Sequence, residues 1–156
     1  MTINVGVGGA HKNVIGMWVG VGGAWKYVTR VDAGVSGAWK LAFAPLELTC
    51  NDISGENLGT AFSGSVRATA NATVQYGSGN YTYSWVHNST SSGNTPSISS
   101  ATALNPTFTA AVTAPTNSVS SWTLTVTDST YGISDSVTVT VTLDWIQETD
   151  PEPPPP

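Results

Sequence analysis

The 156-residue sequence predicts an all-β protein, with an N-terminal β-hairpin repeat module followed by an antiparallel β-sandwich. Three observations support this prediction. A glycine-rich octet occurs three times near the N-terminus, apolar and polar residues alternate through much of the chain after Pro45, and charged residues make up only 10 % of the composition. Since about 25 % is typical, Thr, Ser and Asn must supply the polar surface, and threonine is well suited to strands.

The repeated octet is predicted to form one hairpin per copy within residues 1–44. It reads VGVGGAHK from Val5, VGVGGAWK from Val19 and AGVSGAWK from Ala33, so the copies lie 14 residues apart. This period fits two short strands with their connections and is too short for helical repeats. The central dipeptides are typical of two-residue hairpin turns, because glycine readily adopts positive φ angles. These dipeptides are Gly8-Gly9, Gly22-Gly23 and Ser36-Gly37.

The predicted turns also set which residues lie opposite each other. In the second copy, Gly20 is opposite Trp25 and Val19 is opposite Lys26. In the other copies, the corresponding pairs are Gly6 with His11 and Gly34 with Trp39. A glycine directly across from a large ring leaves space for that ring, so the repeated glycines are explained without a ligand. A Walker-type phosphate loop is disfavoured, because no Ser or Thr follows the lysine and no amphipathic helix follows the loop.

The hairpin module is expected to need a partner surface, because isolated two-stranded ribbons are marginally stable in water. It could pack on the following domain, on copies of itself or on a larger assembly, and we favour assembly. A sugar-stacking role for the tryptophans is the alternative. The candidate docking residues are His11, Trp18, Trp25, Lys26, Trp39 and Lys40.

Charge is divided unevenly between the two predicted parts. Residues 1–45 hold four basic residues and one acid, whereas residues 46–156 hold one basic residue and nine acids. This asymmetry fits an N-terminal region that docks and a remainder that faces solvent. No dense basic stripe is present, so we expect no nucleic-acid partner.

Residues 45–146 are predicted to form the sandwich, because several segments alternate with a period of two. Such alternation indicates strands with one buried and one wet face. The residues predicted to share a face are Tyr81, Tyr83 and Trp85; Trp122, Leu124 and Val126; and Val137, Val139, Val141 and Leu143. The remaining residues, 147–156, form an acidic, proline-rich tail that is expected to be extended, as a spacer, a partner ligand or a solvated end.

The order YTYSW … SWTLTVTDSTYGISDSVTVTVTL resembles the polycystic-kidney-disease-like (PKD-like) branch of the immunoglobulin fold. The resemblance covers about two-thirds of the chain and implies an immunoglobulin-like sandwich. It implies that Trp85 is the core tryptophan, that 123–128 is the strand before a tight turn and that 137–143 is the last strand. A shared fold does not by itself imply a function.

The sequence lacks the usual signatures of enzymes and metal sites. His11 and His87 lie in different predicted modules, and no Cys/His cluster offers a zinc site. A Ser-His-Asp set could be drawn around His87, but serine is too common here for this to carry weight. Four acids near predicted turns lack a calcium-loop motif and are interpreted as turn-capping or solvating residues: Asp52, Glu56, Asp128 and Asp135. We therefore expect no catalysis, no metal and no cofactor.

The cellular setting is predicted from what the chain lacks. Cys50 is the single cysteine, so no intrachain disulfide can form, which favours synthesis in the cytosol. No apolar run approaches the roughly 18 residues of a membrane span, and the N-terminus shows no signal peptide. Membrane insertion is not expected.

The hairpins ending in G-A-W-K resemble the glycine-tryptophan repeats of structural proteins from tailed bacteriophages, where they often stand beside immunoglobulin-like domains. This resemblance covers residues 5–43 and implies a virion protein made in the host bacterial cytoplasm, either tail-associated or decorating the capsid. The implied partners are other virion proteins, copies of the chain itself and, through weak adhesion, host-surface glycans.

Two alternatives remain open from the sequence. The first is a carbohydrate-binding module, in which Tyr76, Tyr81 and exposed tryptophans would stack on sugars. The second is a bacterial surface adhesin domain, which the absence of a signal peptide disfavours.

Overall fold

The computed structural model describes the backbone of six strands between residues 4 and 43, and residues 45–148 in full. These residues form fifteen strands and no helix, which confirms the all-β prediction. The three predicted hairpin turns and residues 149–156 of the predicted tail lie outside the described residues. The strands are β1 Asn4–Val7, β2 Ala10–Asn13, β3 Trp18–Val21, β4 Ala24–Tyr27, β5 Val31–Val35, β6 Ala38–Phe43, β7 Glu47–Cys50, β8 Ile53–Gly59, β9 Ser63–Thr69, β10 Ala72–Gln75, β11 Tyr81–Ser92, β12 Ser97–Ile98, β13 Thr107–Thr113, β14 Ser118–Asp128 and β15 Ile133–Gln147.

The chain divides into two compact units. The first unit comprises residues 1–47, 74–82 and 127–135, and the second comprises 48–73, 83–126 and 136–156. The domain boundaries predicted from the sequence, at 44/45 and 146/147, were placed by composition and do not correspond to these two units. They stay a prediction.

In the first unit, the six N-terminal strands pair consecutively as three antiparallel ribbons. Gly20 is the partner of Trp25, and Val19 is the partner of Lys26. The outer ribbons pair Gly6 with His11 and Gly34 with Trp39, again as the sequence predicts. The third ribbon departs from regular pairing only at its open end, where the register shifts between Val31 and Asp32.

The second unit contains most of two larger sheets. One has the order β11-β14-β15-β8, and the other has the order β12-β13-β9. β9 and β13 pair antiparallel, whereas β8 pairs parallel with β15. A further two-stranded sheet joins β7 and β10. These sheets are consistent with a β-sandwich.

The core of the second unit lies where the inner faces of these two sheets meet. Phe108 of β13 contacts Trp85 and Trp122 of the other sheet edge-on, with ring centroids 5.4 and 5.1 Å apart. Edge-to-face pairs of this kind stabilise a core beyond the area they bury. The predicted faces are found: Trp122, Leu124, Val126, Val139, Val141 and Leu143 are buried with Trp85, and Val137 near the start of β15 is half-buried.

Trp145 lies on the inner face near the end of β15, against two glycines. A Cβ atom added to Gly64 would lie 2.0 Å from the Trp145 ring, and one added to Gly59 would lie 2.5 Å from it. The indole N–H donates to the Ala61 carbonyl at 2.9 Å. Any larger side chain at Gly59 or Gly64 would overlap the Trp145 ring. Trp145 also fixes the connection between β8 and β9 through its hydrogen bond to Ala61.

Replacing Gly64 with alanine should lower the free energy of unfolding by about 1–3 kcal/mol, because the new methyl group overlaps the indole. Chemical denaturation measures this change. Ser65→Ala is the matched control, since Ser65 is exposed on the same strand. Equal destabilisation by the two variants would show that the Trp145 contact is unimportant.

Candidate functional site

The first unit holds a polar centre at the end of β14, where Asp128 is completely buried. Its carboxylate accepts hydrogen bonds from the Ser78 backbone N–H at 2.5 Å and the Ser78 hydroxyl at 2.7 Å. It also accepts from the backbone N–H groups of Thr130 and Tyr131, at 2.9 and 3.1 Å. One carboxylate thus ties the loop before β11 to the turn after β14, which agrees with the predicted capping role.

The same contacts determine the ionisation of Asp128. Burial acts to raise the pKa of this carboxyl group, but the hydrogen bonds from Ser78, Tyr131 and Thr130 outweigh burial and hold the pKa below its ordinary value. The group is therefore a charged structural anchor at neutral pH. Its two oxygens already accept four hydrogen bonds from the protein, which favours a structural role over proton transfer to a substrate.

The two predicted glycan contacts, Tyr76 and Tyr81, come together beside this anchor. The Tyr81 hydroxyl donates a hydrogen bond to the Tyr76 carbonyl, and Gly77 between them lies close to both Tyr81 and Asp128. Tyr76 has a φ of 65°, a left-handed conformation that is uncommon outside glycine, and its side chain is 38 % exposed. Tyr81 is half-buried, so Tyr76 is the more accessible ring.

The predicted docking residues belong to the ribbons, for which the backbone is described. The side chains of His11, Trp18, Trp25, Lys26, Trp39 and Lys40 lie outside the described part of the chain. The docking prediction therefore stays a prediction.

The outer face of the four-stranded sheet carries a hydroxyl and amide network. The Asn88 side-chain amide donates to the Thr123 hydroxyl at 2.9 Å, and the Thr123 and Thr138 hydroxyls lie 3.0 Å apart. This row crosses β11, β14 and β15 without using a charged group, because cross-strand Thr pairs satisfy one another. The hydrogen-bonded row itself is polar and uncharged, as the composition predicts.

Three other titratable groups have structural partners. Asp52 accepts a hydrogen bond from the Thr140 backbone N–H at 2.7 Å, again as a cap. His87 lies edge-on to Trp122, with ring centroids 5.0 Å apart, and its Nε2 is 2.9 Å from the Thr90 hydroxyl. The half-buried Cys50 thiol donates to the Asn51 carbonyl, and burial raises its pKa.

Within the described residues, no group of three or more His, Cys, Asp or Glu side chains is placed to hold a metal ion. Among the same residues, no helix is long and apolar enough to cross a membrane.

A group of exposed apolar side chains was not predicted from the sequence. Leu58 is 53 % exposed, Phe62 69 % and Ile146 42 %. Leu58 and Ile146 are direct partners in the parallel ladder. The sequence signal is weak, because a parallel pairing between residues 88 positions apart cannot be derived from local alternation.

Comparisons of the chain with protein-family models, with curated proteins and with solved structures found no match.

Proposed function

We propose that the protein is a non-enzymatic structural component of a bacteriophage virion, tail-associated or decorating the capsid. In this proposal the N-terminal ribbons dock the chain to the particle. An immunoglobulin-like domain within residues 45–146 is displayed outward and provides weak adhesion to the host surface.

The observation that carries the proposal is the contrast between the ribbons and the two larger sheets. The sheets bury Trp85, Phe108 and Trp122 against one another. The ribbons are two-stranded and short, yet each places a ring or an imidazole opposite a glycine. One unit with an aromatic core of its own, and three ribbons of a kind that is marginally stable alone, support a displayed domain with a docking module.

The immunoglobulin-like assignment is supported by the central tryptophan. Trp85 lies on β11 and contacts Phe108 from the opposite sheet, as the core tryptophan of that fold would. The display role is supported by the uncharged hydroxyl and amide row that Asn88, Thr123 and Thr138 form across β11, β14 and β15. Tyr76, exposed on its anchored loop, is the side chain best placed for a glycan contact.

The proposal is tested by asking whether the chain belongs to particles. Virions should be purified by density gradient from cells producing the phage, and labelled with an antibody against the chain. We expect the label on intact particles, and we expect it to be lost when the phage encodes Trp25→Ala/Trp39→Ala.

The control is a phage that encodes Tyr76→Ala, which should still incorporate the protein. Absence of the wild-type chain from particles contradicts the proposal. If that absence were joined by saccharide binding at millimolar concentration, sensitive to Tyr76→Ala, a carbohydrate-binding module would replace the virion assignment.

A further inference from the structure

The outer face of the β8–β15 ladder presents an apolar pair next to an acidic pair. Leu58 is the direct partner of Ile146, and Glu56 is the direct partner of Asp144. Direct partners in a parallel ladder project from the same side of the sheet, and residues two apart along a strand do so as well. Ile53 and Val141, which pair on the other side of the same ladder, are buried in the core. The four residues therefore form one surface, which we call the β8–β15 face.

Phe62 adds an exposed ring to the same end of the ladder. It follows Leu58 in the connection to β9, and it is the most exposed of the large apolar side chains noted above, at 69 %. The backbone around it is held at three points: Gly59 accepts from the Glu148 N–H at 3.0 Å, Ala61 accepts from the Trp145 indole, and Phe62 accepts from the Ala114 N–H at 2.8 Å. A ring exposed on an anchored backbone binds a partner with little further loss of conformational freedom.

The carboxylates of Glu56 and Asp144 face each other as direct partners in the ladder, so a nearby cation would stabilise them. Like charges directly opposite each other on neighbouring strands are destabilising. Residues 45–148 contain a single Lys or Arg, Arg67, and it belongs to β9 of the other sheet. A partner that brings a positive charge to Glu56 and Asp144 would relieve this repulsion.

The N-terminal ribbons have the complementary pattern. In the second ribbon, Val19 pairs with Lys26 and Val21 pairs with Ala24. By strand alternation these four positions, a lysine and three small apolar residues, share one parity. The first ribbon repeats this with Val5, Val7, Ala10 and Lys12, and the third with Ala33, Val35, Ala38 and Lys40. The rings occupy the alternate positions. We call this surface the lysine face of each ribbon.

We propose that the β8–β15 face, with Phe62, binds the lysine face of a ribbon from a second copy of the chain. The lysine lies at Glu56 and Asp144, and the valines and alanine cover Leu58, Ile146 and Phe62. The net charges agree, since residues 1–45 are basic and residues 46–156 are acidic. The interaction joins two different surfaces of the chain, so one copy can use both at once. It rests on the proposed function, for which it names one docking partner.

The test is a charge exchange in the full-length protein, followed by analytical ultracentrifugation. The first variant carries Lys12→Glu, Lys26→Glu and Lys40→Glu; the second carries Glu56→Lys and Asp144→Lys. We expect wild-type self-association to weaken with added salt, and each variant alone to associate at least about tenfold more weakly. An equimolar mixture of the two should recover association, because the acidic ribbons of the first variant can bind the basic β8–β15 face of the second.

Apolar contacts are tested with Phe62→Ser, and Val86→Ser is the matched control, since Val86 is 55 % exposed on β11. Only Phe62→Ser should weaken association. Monomeric wild-type protein, a mixture that fails to associate, or equal effects of the two serine variants would overturn the proposal. Undiminished association of Glu56→Lys/Asp144→Lys alone would show that the β8–β15 face is not the contact surface, and would also overturn it. Virion labelling is a separate measurement, so either proposal can fail without the other.

Discussion

Replacing Trp85 with alanine should lower the free energy of unfolding by about 3–5 kcal/mol. The side chain is 4 % exposed and meets Phe108 edge-on, so truncation removes a large buried ring and leaves a cavity in the centre of the second unit. The Ala103 carbonyl also loses its indole donor, now at 3.0 Å. Because Ala103 is only half-buried, losing this bond adds a smaller penalty than at a fully buried acceptor.

This loss should appear as a lower midpoint in urea denaturation and a lower Tm. Val86→Ala is the neighbouring control, because that side chain is 55 % exposed and should change the stability by no more than about 0.5 kcal/mol. With a single cysteine, the chain has no intrachain disulfide to offset the loss. An unchanged Tm for Trp85→Ala would refute the assigned core.

The Asp128→Asn variant should lose about 3 kcal/mol at neutral pH, because hydrogen bonds to a charged group are stronger than those to a neutral one. The substitution keeps the shape of the side chain. One carboxylate oxygen now accepts from the Ser78 N–H, and the other accepts from the Ser78 hydroxyl and the Thr130 and Tyr131 N–H groups. In the variant, an amide NH₂ replaces one of these two oxygens. Two donors then face each other at a fully buried position.

The pH dependence of stability should identify the same group. Since the pKa of Asp128 is lower in the folded chain than in the unfolded chain, its contribution is complete above the unfolded value of about 4 and is lost as the pH falls further. Wild-type stability should therefore fall more steeply below pH 4 than that of Asp128→Asn. Exposed Glu47→Gln serves as the control. Parallel curves for wild type and Asp128→Asn would contradict the anchor.

Local patterns were sufficient to predict the buried faces of β14 and β15 and the pairing of the ribbons. The alternation in SWTLTVTD predicted the burial of Trp122, Leu124 and Val126, because one side of a strand repeats every second residue. The ribbon partners followed in the same way from the turn positions. These are short-range properties, in which a few neighbouring residues determine the geometry.

Long-range properties could not be predicted in this way. Nothing near Leu58 indicates that its ladder partner is Ile146, and nothing near Gly64 indicates that Trp145 lies against it. The role of Asp128 as a cap was anticipated from its place before a turn, but its bonds to Ser78, 50 positions away, were not. Pairings across such distances depend on how whole sheets meet, which one sequence does not reveal.

The parallel pairing of β8 with β15 also has a mechanical consequence. These are an early and the last strand of residues 45–148, and seven residue pairs join them from Ile53–Val141 to Gly59–Gln147. A pulling force applied at residue 53 and at residue 147 acts along both strands in opposite directions. The hydrogen bonds of the ladder are then loaded together in shear, so they cannot open one after another as in a zipper.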